Sequence, residues 1–229
     1  MRRQQLEIAL SRLEPSPSPQ LAYEAYDLDP RAASELLFLA ETRYGDIKGR
    51  TIIDLGCGSG ILAIGATLLG ARSVIGVDIN VESVETAKAN ARRAGVEVGL
   101  VAGDIEAIRG SFEVTVTNPP FGTRRRGADI NFLGKAMEVS ERVYSLHKSG
   151  EANRLFLKDA VERLGGRVDA VFEMEIGVAR TYDFHKKRRY PVVVDLYRVI
   201  AHPETSEVDK PVRQRTKQGE ARPSNAIHL

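Results

Sequence analysis

The sequence predicts an α/β fold: a mostly parallel sheet with helices on both faces and a last strand that runs antiparallel. Three observations predict it. From Thr51 onward, short β-branched runs alternate with segments of helical period, as βαβ units joined by right-handed crossovers do. A glycine-rich turn, Asp54-Leu55-Gly56-Cys57-Gly58-Ser59-Gly60, follows the first of those runs. The last two strand-like runs have no helix between them, so they form a hairpin and the final strand reverses.

The elements follow in order. Residues 1–13 read as a helix, with Leu6, Leu10 and Leu13 at helical spacing. Pro15-Ser16-Pro17-Ser18-Pro19 breaks it as a short linker. Asp29 is placed to cap a second helix with Pro30 at its first position, running to about Tyr44. Residues 1–45 are thus a helical extension ahead of the sheet. Strand one is Thr51–Leu55, followed by a helix from Gly60 to Leu69. Strand two is Ser73 to Val77, followed by a helix over Val81–Ala94. Val98 to Val101 is a short third strand and Glu113 to Thr117 a fourth. Asp129 is expected to cap a helix ending near Ser140. Arg142 to Leu146 reads as strand five, and Glu151 to Leu164 as a helix closed by Gly165-Gly166. Val168 to Ile176 is strand six and Pro191 to Ile200 strand seven, with the hairpin between Gly177 and Tyr190. From His202 the apolar pattern ends. The folded domain is therefore 1–201, and 202–229 is a disordered polar tail whose mixed charges differ from a like-charged nucleic-acid arm.

Composition narrows the class. The 229 residues, 42% hydrophobic with 20 glycines, suit one ordinary globular domain. A single cysteine excludes an internal disulfide framework, argues against a cysteine zinc site and fits a reducing cytoplasm. The N-terminus leads into no long apolar run, so neither a signal peptide nor a membrane span is expected. Net charge is only +2, so any nucleic-acid binding must rest on local clusters. The four histidines show no ligand spacing; His147 and His185 read as structural or RNA-contacting.

The chemistry concentrates at strand tips. Strand four ends in Asn118-Pro119-Pro120-Phe121. Two prolines cannot donate backbone hydrogen bonds and they force extended geometry on the residues before them. The side-chain amide and a free carbonyl then face one way beside an aromatic ring. That set suits a flat –NH2 group, with two acceptors for its protons and a ring to stack on. A plain Asn-Pro turn beside a core phenylalanine is the blander alternative. Strand one ends in Asp54 and the glycine turn, strand two at Asp78 and strand three at Asp104. Open α/β sheets bind ligands at the carboxyl ends of their strands. The glycines are spaced G-x-G-x-G rather than the dinucleotide G-x-G-x-x-G. A pyrophosphate tolerates few neighbouring carboxylates, whereas a cofactor with a sulfonium and an amino group accepts them. The set points to S-adenosylmethionine. Cys57 reads as a packing residue in the turn, not a nucleophile.

Asp54–Gly60, Asp78, Asp104 and Asn118–Phe121 resemble the motif series of class I S-adenosylmethionine-dependent methyltransferases that modify planar amines. More closely, the chain resembles the methyltransferase-like family of ribosomal RNA adenine-N6 methyltransferases of archaeal and eukaryotic type. Asn118–Thr123, Gly127, Asp129, Phe132-Leu133, Val143–Lys148 and Phe184–Lys187 carry that resemblance, which runs from about residue 4 to 200. It implies a Rossmann-like class I methyltransferase fold with seven strands, and an RNA adenine, in small-subunit ribosomal RNA, as substrate. It also implies cofactor contacts at Gly56, Ser59, Ile61, Asp78, Asp104 and Ile105, beside Asp54, and catalytic roles for Asn118, Pro119, Pro120 and Phe121. The family's Glu-Gln-Tyr-Pro-Thr stretch reads Glu24-Ala25-Tyr26-Asp27-Leu28 here. Tyr26 stays a candidate pocket wall, while Ala25 and Leu28 lack the family's polar side chains. Arg124, Arg125 and Arg126 follow the Asn118 stretch, and Lys186-Lys187-Arg188-Arg189 fall in the last hairpin; both clusters are expected to flank the pocket and hold RNA phosphates. Related enzymes pair with a small zinc-binding activator protein through the sheet edge that Val96–Val101 would form. The competing readings are a protein glutamine-N5 methyltransferase, a guanine-N2 methyltransferase and a catalytically silent RNA-binding scaffold.

Overall fold

The computed structural model describes residues 1–16, 28–120, 127–179 and 189–201. Tyr26, Phe121, Arg124, Arg125, Lys186, Lys187 and the 202–229 tail lie outside the described residues. The elements in chain order are α1 (Arg3–Leu10), α2 (Pro30–Tyr44), β1 (Thr51–Leu55), α3 (Ile61–Leu68), β2 (Ser73–Asp78), α4 (Val81–Ala94), β3 (Gly99–Ala102), a 3-10 turn (Ile105–Ala107), β4 (Phe112–Thr117), α5 (Ala128–Val139), β5 (Ser140–Lys148), α6 (Glu151–Arg163), β6 (Arg167–Ala179) and β7 (Arg189–Ile200).

One seven-stranded sheet has the order β3-β2-β1-β4-β5-β7-β6. Neighbours from β3 to β5 pair in parallel, while β7 lies antiparallel to both β5 and β6. Strand order therefore reverses between β1 and β4, and their tips stand side by side, with Leu55 level with Thr117. Two apolar cores sandwich the sheet. α1, α2, α3 and Ala91 of α4 bury Leu6, Leu10, Leu36, Leu37 and Ile64 against Ile52, Val114 and Val116. α5 and α6 bury Leu133, Met137, Leu157 and Val161 against Ile53, Leu55 and Val143 on the other face. Successive strand residues point to opposite faces, which is why these strands read as unbroken apolar runs.

Local chemistry explains where elements start and stop. Asp29 caps α2 as expected: its Oδ1 accepts from the Arg31 and Ala32 amides at 3.1 Å, and Pro30 takes the first position. Five expectations are corrected. α1 ends at Leu10 rather than residue 13, because Arg12 and Leu13 donate to Ala9 and Leu10 in tighter turns ahead of Pro15. β3 begins at Gly99, one residue late. α5 is capped by Gly127, not Asp129, which sits in its first turn. β5 runs for 9 residues, because its ladder with β7 continues to Lys148, beyond the last β4 pair at Ser145. The hairpin ladder continues to Ala179 and Arg189, so its connection, 180–188, is shorter than the sequence implies.

Candidate active site

The glycine turn after β1 is held by β2 on one side and α4 on the other. The Gly56 and Cys57 amides both donate to the Val77 carbonyl, at 2.8 and 2.9 Å. The Gly58 amide donates to Asp78 Oδ2 at 2.8 Å, and the Asn80 amide to Asp78 Oδ1 at 2.9 Å. Two positions require glycine. Gly56 has φ +71°, and a Cβ there would lie 2.8 Å from the Phe132 ring. Gly60 has φ +83°, and its Cβ would lie 3.0 Å from that of Ala87. Left-handed φ is costly for any other residue, and close packing removes the space as well.

Asp54 stands beneath this turn, 1% exposed, with Oδ2 accepting from the Ala63 amide at 3.0 Å. Its Oδ1 is buried with no hydrogen-bond partner among the described residues. Burial pushes this carboxyl up to about 8; the nearby Asp78 adds to the rise and the Ala63 bond opposes it. Asp104 is exposed at the tip of β3, where its side chain caps the 3-10 turn through the Glu106 amide at 3.0 Å. Among the described residues no ion pair involves Asp54, Asp78 or Asp104. Among the described residues the rim thus carries carboxylates without an ion-pair partner, together with an orphaned carboxyl oxygen. A cationic cofactor such as S-adenosylmethionine fits that donor set; a pyrophosphate does not.

Ser59, Ile61 and Ile105 line the same region but turn mostly inward, at 4%, 8% and 8% exposed. Leu28, where the family carries a threonine, is buried in the first core, so its apolar side chain packs rather than facing a ligand. Cys57 is buried, and that burial pushes its thiol well up, which bears out packing over nucleophilic reactivity.

Asn118, half-buried, and the buried Pro119 follow Thr117 directly at the tip of β4. Thr117 Oγ1 donates to the Leu55 carbonyl at 2.7 Å, which fixes that tip against the start of the glycine turn. The Asn118 stretch and the cofactor turn are therefore neighbours at the point where strand order reverses, the place open α/β sheets use for ligands.

Three features add to the sequence reading. Ile79, just past Asp78, is 53% exposed and offers an apolar surface at the rim. Its only signal was an apolar residue after the second strand tip. His147 is buried: its Nε2 lies 2.9 Å from Ser145 Oγ, and its Nδ1 faces Asp129 Oδ2 at 3.8 Å, ion-pair range but longer than a hydrogen bond. The imidazole facing it holds Asp129 below the usual carboxylate range. That burial makes His147 structural rather than RNA-contacting. The third is Asn90, fully buried on α4, where it accepts from and donates to other chain segments.

Comparison with known proteins agrees with this geometry. The family model for ribosomal protein L11 methyltransferase (PrmA) matches residues 36–119, which span the cofactor half and end at the tip of β4. The Drosophila melanogaster rRNA N(6)-adenosine-methyltransferase Mettl5 is 32% identical over 201 residues, 84% of this chain and 93% of that one. A Methanocaldococcus jannaschii protein of unassigned function is 34% identical over 211 residues, 87% of this chain and 94% of its own. The crystal structure of the Pyrococcus horikoshii protein PH1948 superposes with a TM-score of 0.80 at 36% identity, over 87% of this chain and 98% of that one. With strand order, glycine turn and Asn-Pro-Pro tip all in place, the chain belongs to the family of rRNA N(6)-adenosine-methyltransferases typified by Mettl5.

Proposed function

We propose that this protein transfers a methyl group from S-adenosylmethionine to the exocyclic N6 amine of an adenosine in ribosomal RNA, with small-subunit RNA as the substrate. The observation that carries this is the juxtaposition of the Asn118-Pro119 tip with the acidic glycine turn at the β1/β4 reversal. Relatives named for this reaction, matched over most of their length, support the choice of adenine over a glutamine amide or guanine.

When bound, the cofactor supplies an electrophilic methyl group on a sulfonium. Gly56, Ser59, Asp54, Asp78 and Asp104 would hold it, with Tyr26, Ile61, Ile79 and Ile105 as apolar walls. The adenine amine is a weak nucleophile because its lone pair is delocalised into the ring. Asn118 Oδ1 and the Pro119 carbonyl accept its two N–H bonds, favour a pyramidal nitrogen and stabilise the charge that develops there. Pro120 holds the backbone extended so that both acceptors face one way. Phe121 stacks on the base. Alignment carries much of the rate, and neither a metal nor a strong base is called for. Arg124, Arg125, Lys186 and Lys187 hold the RNA phosphates; the described ends of their segments, Pro120 and Ala179, both stand at strand tips on this rim. A base taken from a looped single strand costs less to present than one flipped from a duplex.

Asn118→Ala is expected to lower methyl transfer at least about 100-fold while leaving cofactor binding intact, in line with loss of one preorganised group. Mass spectrometry of ribosomal RNA nucleosides, with and without the gene and with the variant, measures this. Unchanged N6-methyladenosine without the gene would remove the assignment.

At the far edge of the sheet, β3 pairs only with β2 among the described strands, and Val101 is 48% exposed. We place the small zinc-binding activator protein there, adding a strand to the open edge near Val96–Val101. We place the enzyme in the cytoplasm, where a single unpaired cysteine fits a reducing compartment; no described helix is long and apolar enough to cross a membrane.

A further inference from the structure

α4 presents an apolar stripe to the sheet, yet in its middle stands Asn90, 0% exposed. A buried amide is tolerated only when its hydrogen-bonding capacity is used. Here it is used across three segments. Oδ1 accepts from the Glu14 amide at 2.9 Å. Nδ2 donates to the Glu14 carbonyl at 2.8 Å and to the Ser59 carbonyl at 3.0 Å. The side-chain amide thus pairs with residue 14 as a strand neighbour would, and Pro15 favours the extended backbone at Glu14 that such pairing needs. Arg93, three residues further along α4, adds a contact to Glu14 Oε1 at 2.7 Å.

The third bond is the consequential one. The peptide between Ser59 and Gly60 closes the cofactor turn. Its carbonyl is held by Asn90, and its N–H donates to the Cys57 carbonyl at 2.8 Å. Beside it Gly60 lies so close to Ala87 that an added Cβ would sit 3.0 Å away. α4 therefore sets both the position and the orientation of this peptide plane, and the same side chain grips the end of the N-terminal helical segment.

We infer that Asn90 is a positioning residue for the cofactor turn, and that it couples the turn to the N-terminal segment at Glu14. This rests on the reading of the turn as the S-adenosylmethionine site. Ordering the turn around a ligand fixes the Ser59 carbonyl, strengthens its bond to Asn90 and thereby holds Glu14. By reciprocity, a well-held Glu14 raises ligand affinity.

Amide hydrogen exchange on the full wild-type chain tests this, with S-adenosylhomocysteine as the probe. Saturating probe should slow exchange both in peptides covering 55–62 and in the peptide containing Glu14. Protection of the turn with no change at Glu14 would overturn the coupling while keeping the cofactor site. Protection at neither place would remove the cofactor reading and the coupling with it. Asn90→Asp provides the second arm, since it keeps the acceptor and size but turns both donor contacts into repulsions. It should raise the KM for S-adenosylmethionine about tenfold, the size expected for a lost buried hydrogen bond, with little change in kcat at saturation. A lowered Tm with unchanged KM would make Asn90 a structural residue only.

Discussion

Asp54 is a carboxyl with one oxygen bonded to the Ala63 amide, the other orphaned, and almost no access to water. Its pKa is pushed from 3.8 to about 8, first by burial and then by Asp78. Between those two values the folded protein binds a proton that the unfolded chain does not. Stability from this group is then fully present below about pH 4 and declines as pH rises toward 8. Asp54→Asn keeps the acceptor for the Ala63 amide and removes the titration. The variant is expected to show a flatter dependence of urea midpoint on pH between about 4 and 8 than wild type; equal slopes would contradict the assigned shift. The sequence made Asp54 legible as a strand-tip acid. It could not reveal that burial raises this carboxyl's pKa, because that depends on which chain segments exclude water from it.

At the scale of elements, the end of α2 is pinned to three strands by one buried cluster. Arg198 of β7 bonds Asp46 Oδ2 through Nη2 at 2.9 Å and Nε at 3.0 Å, and Asp169 of β6 through Nη1 at 2.6 Å. Tyr144 of β5 donates to the same Asp46 oxygen at 2.7 Å, and the Arg198 guanidinium lies 4.1 Å from the centre of the Tyr44 ring. Removing one partner of a buried pair strands the other charge. Arg198→Met is expected to cost about 3–5 kcal/mol in urea unfolding. Arg72→Ala, which removes an exposed partner of Glu113, should cost within about 1 kcal/mol. Equal costs would show that burial does not set the strength of these pairs. Nothing in the sequence links Asp46 to Arg198, which are 152 residues apart. Element bounds were more legible, because caps such as Asp29-Pro30 are local. The misplaced cap of α5 has a tertiary cause: Asp129 faces His147, and Gly127 takes the terminal position.

Across the whole molecule, the sheet places cofactor turn and Asn118 tip at its centre and leaves β3 at one end. An unpaired edge is a ready template for another chain. Val101→Lys, at an exposed position, is expected to abolish activation by and co-purification with the proposed zinc-binding activator while leaving affinity for S-adenosylmethionine unchanged. A monodisperse monomer, as active alone as with the activator, would end that proposal.

Alternation of β-branched and helical segments, the Gly56–Gly60 spacing and the Asn118-Pro119-Pro120 stop are local patterns; they determined the fold class and the cofactor without any coordinates and pointed to the tip proposed to react. The absence of a helix between the last two strands likewise determined the reversed β7. Only the tertiary structure decided that Asn90 ties Glu14 to Ser59, that Asp54 is shielded from water, and that His147 is buried against Asp129. Those are meetings between segments far apart in the chain, and burial and hydrogen-bond partnership are properties of such meetings rather than of any residue's own neighbours in sequence.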